Sequence, residues 1–284
     1  MQKSFNLLRK IRKDQFAHLF QNNMIGLFLG DTDFPDIVLK KIKMLKLDYF
    51  ILDFSKNNKF KNDKNSFRIS IGKFGTIINL INNKKCKKVL FAGKIAKPNF
   101  SSLRLDFKGV YYMPSVIKAA KIGDAAIIKS IIKILKKERI EVISSISFNP
   151  ELSLMKGNYS KLKPNKQDII SIKKGASYFN KTKSLDHVQA IVVKGDKILA
   201  KEGKEGTQNM LSKLKKKSDG ILIKLPKKKQ DLRMDLPTIG LKTFIDIKKY
   251  GLRGVVLQSK KNIFLDKTEC IKFANKNRIF INII

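Results

Sequence analysis

The chain has 284 residues, 43% of them hydrophobic, enough for one large or two ordinary domains with a real core. Its net charge is +38 and its pI about 10.2, yet only eight of its 61 basic residues are arginine, the residue that reads base edges and clamps phosphates bidentately. Lysine spread over the whole length, without Trp and without basic–aromatic interleaving, argues against a dedicated nucleic-acid reader. It reads as compositional bias over an ordinary fold, with a diffuse positive field that favours nucleotides and anionic bilayer surfaces. No run of 18 apolar residues is present, so no membrane-spanning helix is expected. Cys86 and Cys270 stand far apart, and His18 and His187 are the only histidines, which excludes a cysteine knuckle or a His-rich metal site and fits a reducing compartment.

Residues 1–23 form a basic arm without the apolar core or cleavage site of a secretory signal. Leu7, Leu8, Ile11, Leu19 and Phe20 among its cations suit either a short amphipathic helix on an anionic surface or a docked terminus. Met24–Leu29 reads as a buried strand ended by Gly30, 36–45 as a helix and Tyr49–Phe54 as a second strand. That alternation opens a Rossmann-like domain over 24–148, although Gly26 and Gly30 alone are too few for a dinucleotide fingerprint. After the polar loop 55–66 come Gly72 and Gly75 at a helix start, then a strand over Val89–Ala92. Gly93 lets the backbone turn there, and Lys94 and Lys97 stand either as phosphate holders at a strand end or as solvent lysines. Helices are expected over Ser115–Lys121 and Asp124–Lys137, the second with an isoleucine stripe for the core and Asp124 as its cap. A strand over Ile140–Ile146 closes the domain.

A lysine-rich linker over 149–165 leads into a second α/β domain, 149–284 overall. It contains a helix over 167–179 and a hairpin turning at Gly195-Asp196. Glu202 and Glu205 precede Gly206 and a helix that Thr207 is placed to cap, with Glu205 beside its positive end. The strand Ile221–Leu225 then stops at Pro226 and is followed by Asp231, Arg233 and Asp235 before Pro237 and Gly240. Clustered polar groups at a strand end need partners, and the carboxyl ends of strands are where open α/β sheets bind ligands. The alternative is a solvated strand–turn–helix junction. Helices over 241–249 and 267–275 and strands over 254–258, 262–265 and 279–284 complete a two-domain α/β chain, Rossmann-like and then mixed.

With these segments placed, four stretches carry a resemblance over nearly the whole length after the arm: FAGKIAKPNFSSL (91–103), MPSVIKAAKIGD (113–124), LDHVQAIVVKGDKILAKEGKEGTQNML (185–211) and QDLRMDLPTIG (230–240). They resemble the UDP-2,3-diacylglucosamine pyrophosphatases of lipid A biosynthesis, of the alphaproteobacterial type unrelated to the metallophosphoesterases. The resemblance implies two domains with a cleft between them that holds the lipid substrate, and magnesium-dependent cleavage of that substrate to UMP and lipid X. It also implies a cytoplasmic protein peripheral on the inner face of the inner membrane. The essential aspartate falls on Asp235. The chain departs from the family pattern at Asp31–Pro35, which is poorer in glycine, at Gln208, where the family carries an acid, and at Ala125, where it carries a second acid.

Pyrophosphate hydrolysis needs a hard cation with carboxylate ligands and fixed positive groups for developing charge. Asp235 is the expected magnesium ligand or water-positioning group, with Asp231 and Glu205 as second candidates. Arg233, Lys224 and Lys94 are expected to hold phosphate. Gly93, Lys97, Asp124, Gln189, Gly206, Thr207, Gln230 and Thr238 complete the expected substrate contacts. The competing reading is a non-enzymatic basic protein on nucleic acid or an anionic membrane surface.

Overall fold

The computed structural model describes residues 24–181, 188–215, 217–226 and 231–284. The basic arm and Gln230 lie outside the described residues. The chain divides into two compact units, one holding the residues up to Ile122 together with Ala126–Asn149, the other holding Gly123–Ala125 and Pro150–Ile284.

In the first unit, β1 (Ile25–Leu29), β2 (Tyr49–Asp53), the two-residue β3 (Ser66–Phe67), β4 (Lys88–Ala92) and β5 (Glu141–Ile143) form one parallel sheet. Its order is β3-β2-β1-β4-β5. All five residues of β1 are buried, as a strand central to a parallel sheet requires, and this is why its sequence runs apolar instead of alternating. The chain reverses its direction of travel across the sheet between β1 and β4, the position where such sheets open a crevice. Here that opening is bridged. Asp31 and Lys94 exchange backbone hydrogen bonds of 2.9 and 3.0 Å just past the two strands. Gly30 and Gly93 permit the approach: a Cβ on either would stand 2.3 Å from the carbonyl oxygen of Lys94 or Asp31 respectively, and Gly93 has φ +83. These glycines serve contact between two chain segments, not a phosphate fingerprint.

Asp53, the last residue of β2, is buried and accepts from the Ser55 N–H (2.8 Å), the Ser55 hydroxyl (2.6 Å) and the Phe60 N–H (3.0 Å). It ties down the polar loop that follows. Around the sheet lie α1 (Phe34–Met44), α2 (Phe74–Asn83), α3 (Phe107–Ile122) and α4 (Asp124–Lys137). Phe74, Ile78, Tyr112, Met113, Val116 and Ile134 interlock α2, α3 and α4.

Helix α3 begins eight residues before the expected start at Ser115. The reason is Asp106. Its carboxylate accepts from the Gly109 N–H at 2.8 Å, an N-terminal cap, and from the N–H groups of Gly75 (3.0 Å) and Thr76 (2.8 Å) at the start of α2. One side chain thus satisfies two helix ends. Asp124 proves to be the first residue of α4 and not the residue before it. The closing strand is shorter than the expected 140–146, giving way after Ile143 to a 3-10 turn over Ser145–Ser147.

The second unit is a six-stranded mixed sheet in the order β6-β13-β11-β9-β7-β8. Its strands are β6 (Gly157–Asn158), β7 (Ala190–Lys194), β8 (Lys197–Lys201), β9 (Ile221–Lys224), β11 (Gly254–Leu257) and β13 (Phe280–Ile283); β10 (Thr238–Ile239) pairs separately with β12 (Ile263–Phe264). The segment expected as a linker is woven into this unit: β6 pairs with β13, and buried Leu154 is bound through its N–H and carbonyl by the Asn262 amide. The β7–β8 hairpin turns at Gly195-Asp196, with Lys194 opposite Lys197. Both sheet faces are covered. Ala190, Val192, Leu222, Val255 and Ile281 pack with α6 (Thr207–Ser212), α7 (Leu241–Lys249) and α8 (Lys267–Lys276) through Met210, Phe244, Ile247, Cys270 and Ala274. Their neighbours Ile191, Val193, Ile221, Ile223 and Val256 pack on the other side with α5 (Lys166–Lys181) through Ile172 and Phe179. A Cβ on Gly175 of α5 would stand 2.2 Å from Cδ1 of Ile223, so glycine lets that helix lie close on β9. Arg253, just before β11, clamps buried Asp168 of α5 through Nε (2.9 Å) and Nη2 (3.0 Å), pairing a charge that would be costly alone. Both cysteines are buried free thiols. Burial, with Asp266 and Glu269 nearby, pushes Cys270 up to about 12.

Candidate active site

Three strand termini meet at one edge of the second sheet. Lys224, the last residue of β9, lies in register with Ala190, the first of β7. Lys201, the last of β8, lies opposite Ile191. Because β7 runs antiparallel to both neighbours, Gln189 before it, Glu202 after β8 and Lys224 all arrive at the same edge. Backbone bonds extend the ladder there, from the Glu202 N–H to the Ala190 carbonyl (2.9 Å) and from the Leu225 N–H to the Gln189 carbonyl (3.1 Å).

The side chains at this edge form a directed relay. Lys224 Nζ donates to Thr207 Oγ1 at 3.0 Å, and Thr207 donates to Glu202 Oε1 at 2.6 Å. The second oxygen of Glu202 accepts the Gln189 N–H at 2.9 Å. Glu202 is buried, and both of its oxygens are thereby occupied. Burial pushes the Lys224 ammonium below the usual lysine range, while the charges of Glu202 and Asp235 hold it up. Among the described residues, Gln189 Nε2 is buried and has no hydrogen-bond partner. A buried donor without an acceptor costs about 1–3 kcal/mol.

The loop after β9 supplies the carboxylates. Asp231 accepts from Arg233 three times, through its backbone N–H (3.1 Å), Nε (2.9 Å) and Nη2 (2.7 Å). The Asp231 carbonyl accepts the Asp235 N–H at 3.1 Å. Asp231 and Arg233 therefore shape the turn that delivers Asp235, a partly buried side chain whose charge acts on Lys224. Thr238 opens β10 and donates to the Leu236 carbonyl at 3.1 Å.

Two expectations at α6 need correction. Thr207 does not cap the helix; Gly206, at φ +89, occupies the N-cap position, and Thr207 is the first helical residue with its hydroxyl turned to Glu202. Glu205 does not join the relay either: it is exposed and lies 3.6 Å from Lys213 in a surface ion pair, a contact worth little in water. The acid that serves the site is Glu202, which the sequence reading passed over. Its signal was the hairpin register, which places the residue after β8 across from the residue before β7.

Of the remaining expected contacts, Gly93, Lys94 and Lys97 lie in the first unit and Asp124 in the second. Gly93 and Lys94 form the bridge with Asp31, leaving the Lys94 side chain exposed. Lys97 Nζ donates to the Ala120 carbonyl in the last turns of α3 (3.0 Å), where a cation satisfies a free helix-end acceptor. Asp124 is exposed.

Among the described residues no three Asp, Glu, His or Cys side chains gather into a metal cage. Magnesium bound with a phosphate substrate needs only one or two protein carboxylates, because water and phosphate oxygens complete its octahedron. Glu202 is committed to Thr207 and Gln189, so the carboxylates that would hold such an ion are those of the loop after β9, Asp231 and Asp235.

The architecture is thus a two-unit α/β protein in which a lysine, a threonine and two acids meet at the strand ends of the second sheet. Residues 24–152 match the LpxI N-terminal domain and residues 155–282 the LpxI C-terminal domain. Over 223 residues, 75% of this chain and 80% of the relative, the sequence is 31% identical to the UDP-2,3-diacylglucosamine pyrophosphatase LpxI of Caulobacter vibrioides. The chain belongs to the LpxI family.

Proposed function

We propose that the protein hydrolyses the pyrophosphate bond of UDP-2,3-diacylglucosamine, giving UMP and 2,3-diacylglucosamine 1-phosphate, with magnesium as cofactor. The observation that carries this reading is the partly buried Lys224–Thr207–Glu202 relay beside Asp235, in a chain of this family. In the reaction a water oxygen bonds to one phosphorus, the bond from that phosphorus to the bridging oxygen breaks, and the bridging oxygen leaves with the other phosphate. Asp235 positions the water, whose proton is released to solvent. Lys224 opposes the charge that develops on the phosphate oxygens, and it meets that charge already oriented, because Thr207 and Glu202 fix its ammonium before the substrate arrives. Gln189 Nε2 donates to an oxygen of the substrate. When bound, magnesium neutralises phosphate oxygens and lowers the repulsion an incoming nucleophile meets.

No described helix is long and apolar enough to cross a membrane, so a substrate with two acyl chains is met at the bilayer surface, on the cytoplasmic face in this reading. The test is release of UMP from UDP-2,3-diacylglucosamine by the purified protein. Release that stops with a chelator and returns with added magnesium supports the proposal; no release in magnesium overturns it.

A further inference from the structure

Helix α3 has two unlike faces. Tyr112, Met113, Val116 and Ala119 face the core. On the outer face Phe107, Val110 and Tyr111 stand at helical spacing and are 92%, 61% and 68% exposed, with Leu105 exposed just ahead of them. The same stripe continues through exposed Pro114 to exposed Lys118 and Lys121, and Arg104 lies exposed on the other side of the apolar group. The helix's remaining early cation, Lys108, is turned away to Glu138 (2.6 Å). Neighbouring acids are also engaged: Asp106 by the amides of Gly75, Thr76 and Gly109, and Glu138 by Lys108 and the Tyr112 hydroxyl. The nearest exposed acid along the chain is Asp124, beyond the helix's far end. The patch is therefore large aromatic and aliphatic side chains flanked by cations, the composition of an interfacial membrane anchor.

We infer that the outer face of α3 is the surface by which this protein docks on an anionic bilayer. Phe107, Val110, Tyr111 and Leu105 enter the boundary between headgroups and acyl chains, and Arg104, Lys118 and Lys121 lie against lipid phosphates. The inference rests on the reading that the substrate is a bilayer-borne diacyl lipid, and it gives that reading a place of contact. Anionic lipid is favoured over a second copy of the chain by charge: a strongly cationic protein repels its own like-charged face and is drawn to an anionic surface.

The experiment uses the full chain, arm included, and sedimentation with vesicles of phosphatidylethanolamine and phosphatidylglycerol, or of phosphatidylcholine alone. The variants are Phe107→Ser/Tyr111→Ser, Lys118→Gln/Lys121→Gln and, as a control at an exposed apolar residue of α1, Met44→Ser. All are on the surface, and melting curves establish that each is folded. Wild type is expected to bind the anionic vesicles and to bind phosphatidylcholine much less. Each α3 variant is expected to weaken anionic binding by about tenfold or more, with Met44→Ser unchanged and all four proteins hydrolysing detergent-dispersed UDP-2,3-diacylglucosamine at equal rates. Unchanged vesicle binding by Phe107→Ser/Tyr111→Ser overturns the inference, as does a wild type that hydrolyses dispersed substrate but binds no vesicle. Conversion of a dimer to a monomer by that variant, with vesicle binding intact, assigns the face to self-association and also overturns it. A protein that binds vesicles through α3 but releases no UMP leaves the docking surface standing and removes the proposed activity.

Discussion

The ammonium of Lys224 lies 3.0 Å from the Thr207 hydroxyl, and that hydroxyl donates onward to Glu202. A lysine at a strand end is thereby aimed by a residue 17 positions earlier. Holding it costs desolvation, which lowers its pKa, and the acids on either side limit the loss.

This relation predicts a pH profile. In the proposed mechanism Lys224 works as a cation, so activity is expected to fall as pH rises through its pKa, which lies below the ordinary lysine value of 10.5. Glu202→Gln removes a charge that holds the proton on, so the alkaline limb of kcat/KM should move to lower pH. A Glu202 that serves only packing would lower the rate without moving the limb.

Gln189→Leu is expected to raise KM by roughly tenfold, about 1.4 kcal/mol of binding. It should leave the melting temperature unchanged or higher, because a buried unpaired donor is removed. Steady-state kinetics and thermal melting on one preparation check both halves. An unchanged KM would show that the amide faces no substrate oxygen.

Asp106 makes a prediction about folding alone. Burial would raise its pKa, but hydrogen bonds from Gly75, Thr76 and Gly109 hold it below the usual carboxylate range. Its folded pKa is therefore lower than its unfolded one, and its contribution is fully present above the unfolded value, ~3.9, and lost as pH falls through the folded value. Asp106→Ala should cost about 0.5–2 kcal/mol at neutral pH, as lost helix caps do. The gap between variant and wild type in urea melts should narrow under acid.

Much of the fold was legible because its signals are local. The apolar runs of β1, β4 and β9, the isoleucine stripe of α4 and the Gly195-Asp196 turn each announce themselves within ten residues or so. What escaped depends on partners far along the chain. The start of α3 rests on a carboxylate shared with α2, 31 residues from Gly75. The segment 150–164 looked like a linker because Leu154 is held by Asn262, 108 residues on. At the strand ends of the second sheet, the sequence draws attention to Lys224 as the one break in an apolar run and to Asp235 through family resemblance, whereas Glu202 is hidden by Glu205. Sequence cannot separate two acids three positions apart until the strand register decides which one turns inward.

The measurement that bears most directly on the account is UMP release by Asp235→Ala, with melting and retained substrate read on the same protein. Asp235 lies in a turn after the strand, only partly buried, so its loss should cost little stability beside the 2–5 kcal/mol of a typical core truncation. The account predicts hydrolysis below a tenth of the wild-type rate, a loss of more than ~1.4 kcal/mol of transition-state stabilisation, with melting nearly unchanged and UDP-2,3-diacylglucosamine still bound. A variant that keeps more than about a tenth of the rate, a loss under ~1.4 kcal/mol, or one that melts far earlier than wild type, would contradict it.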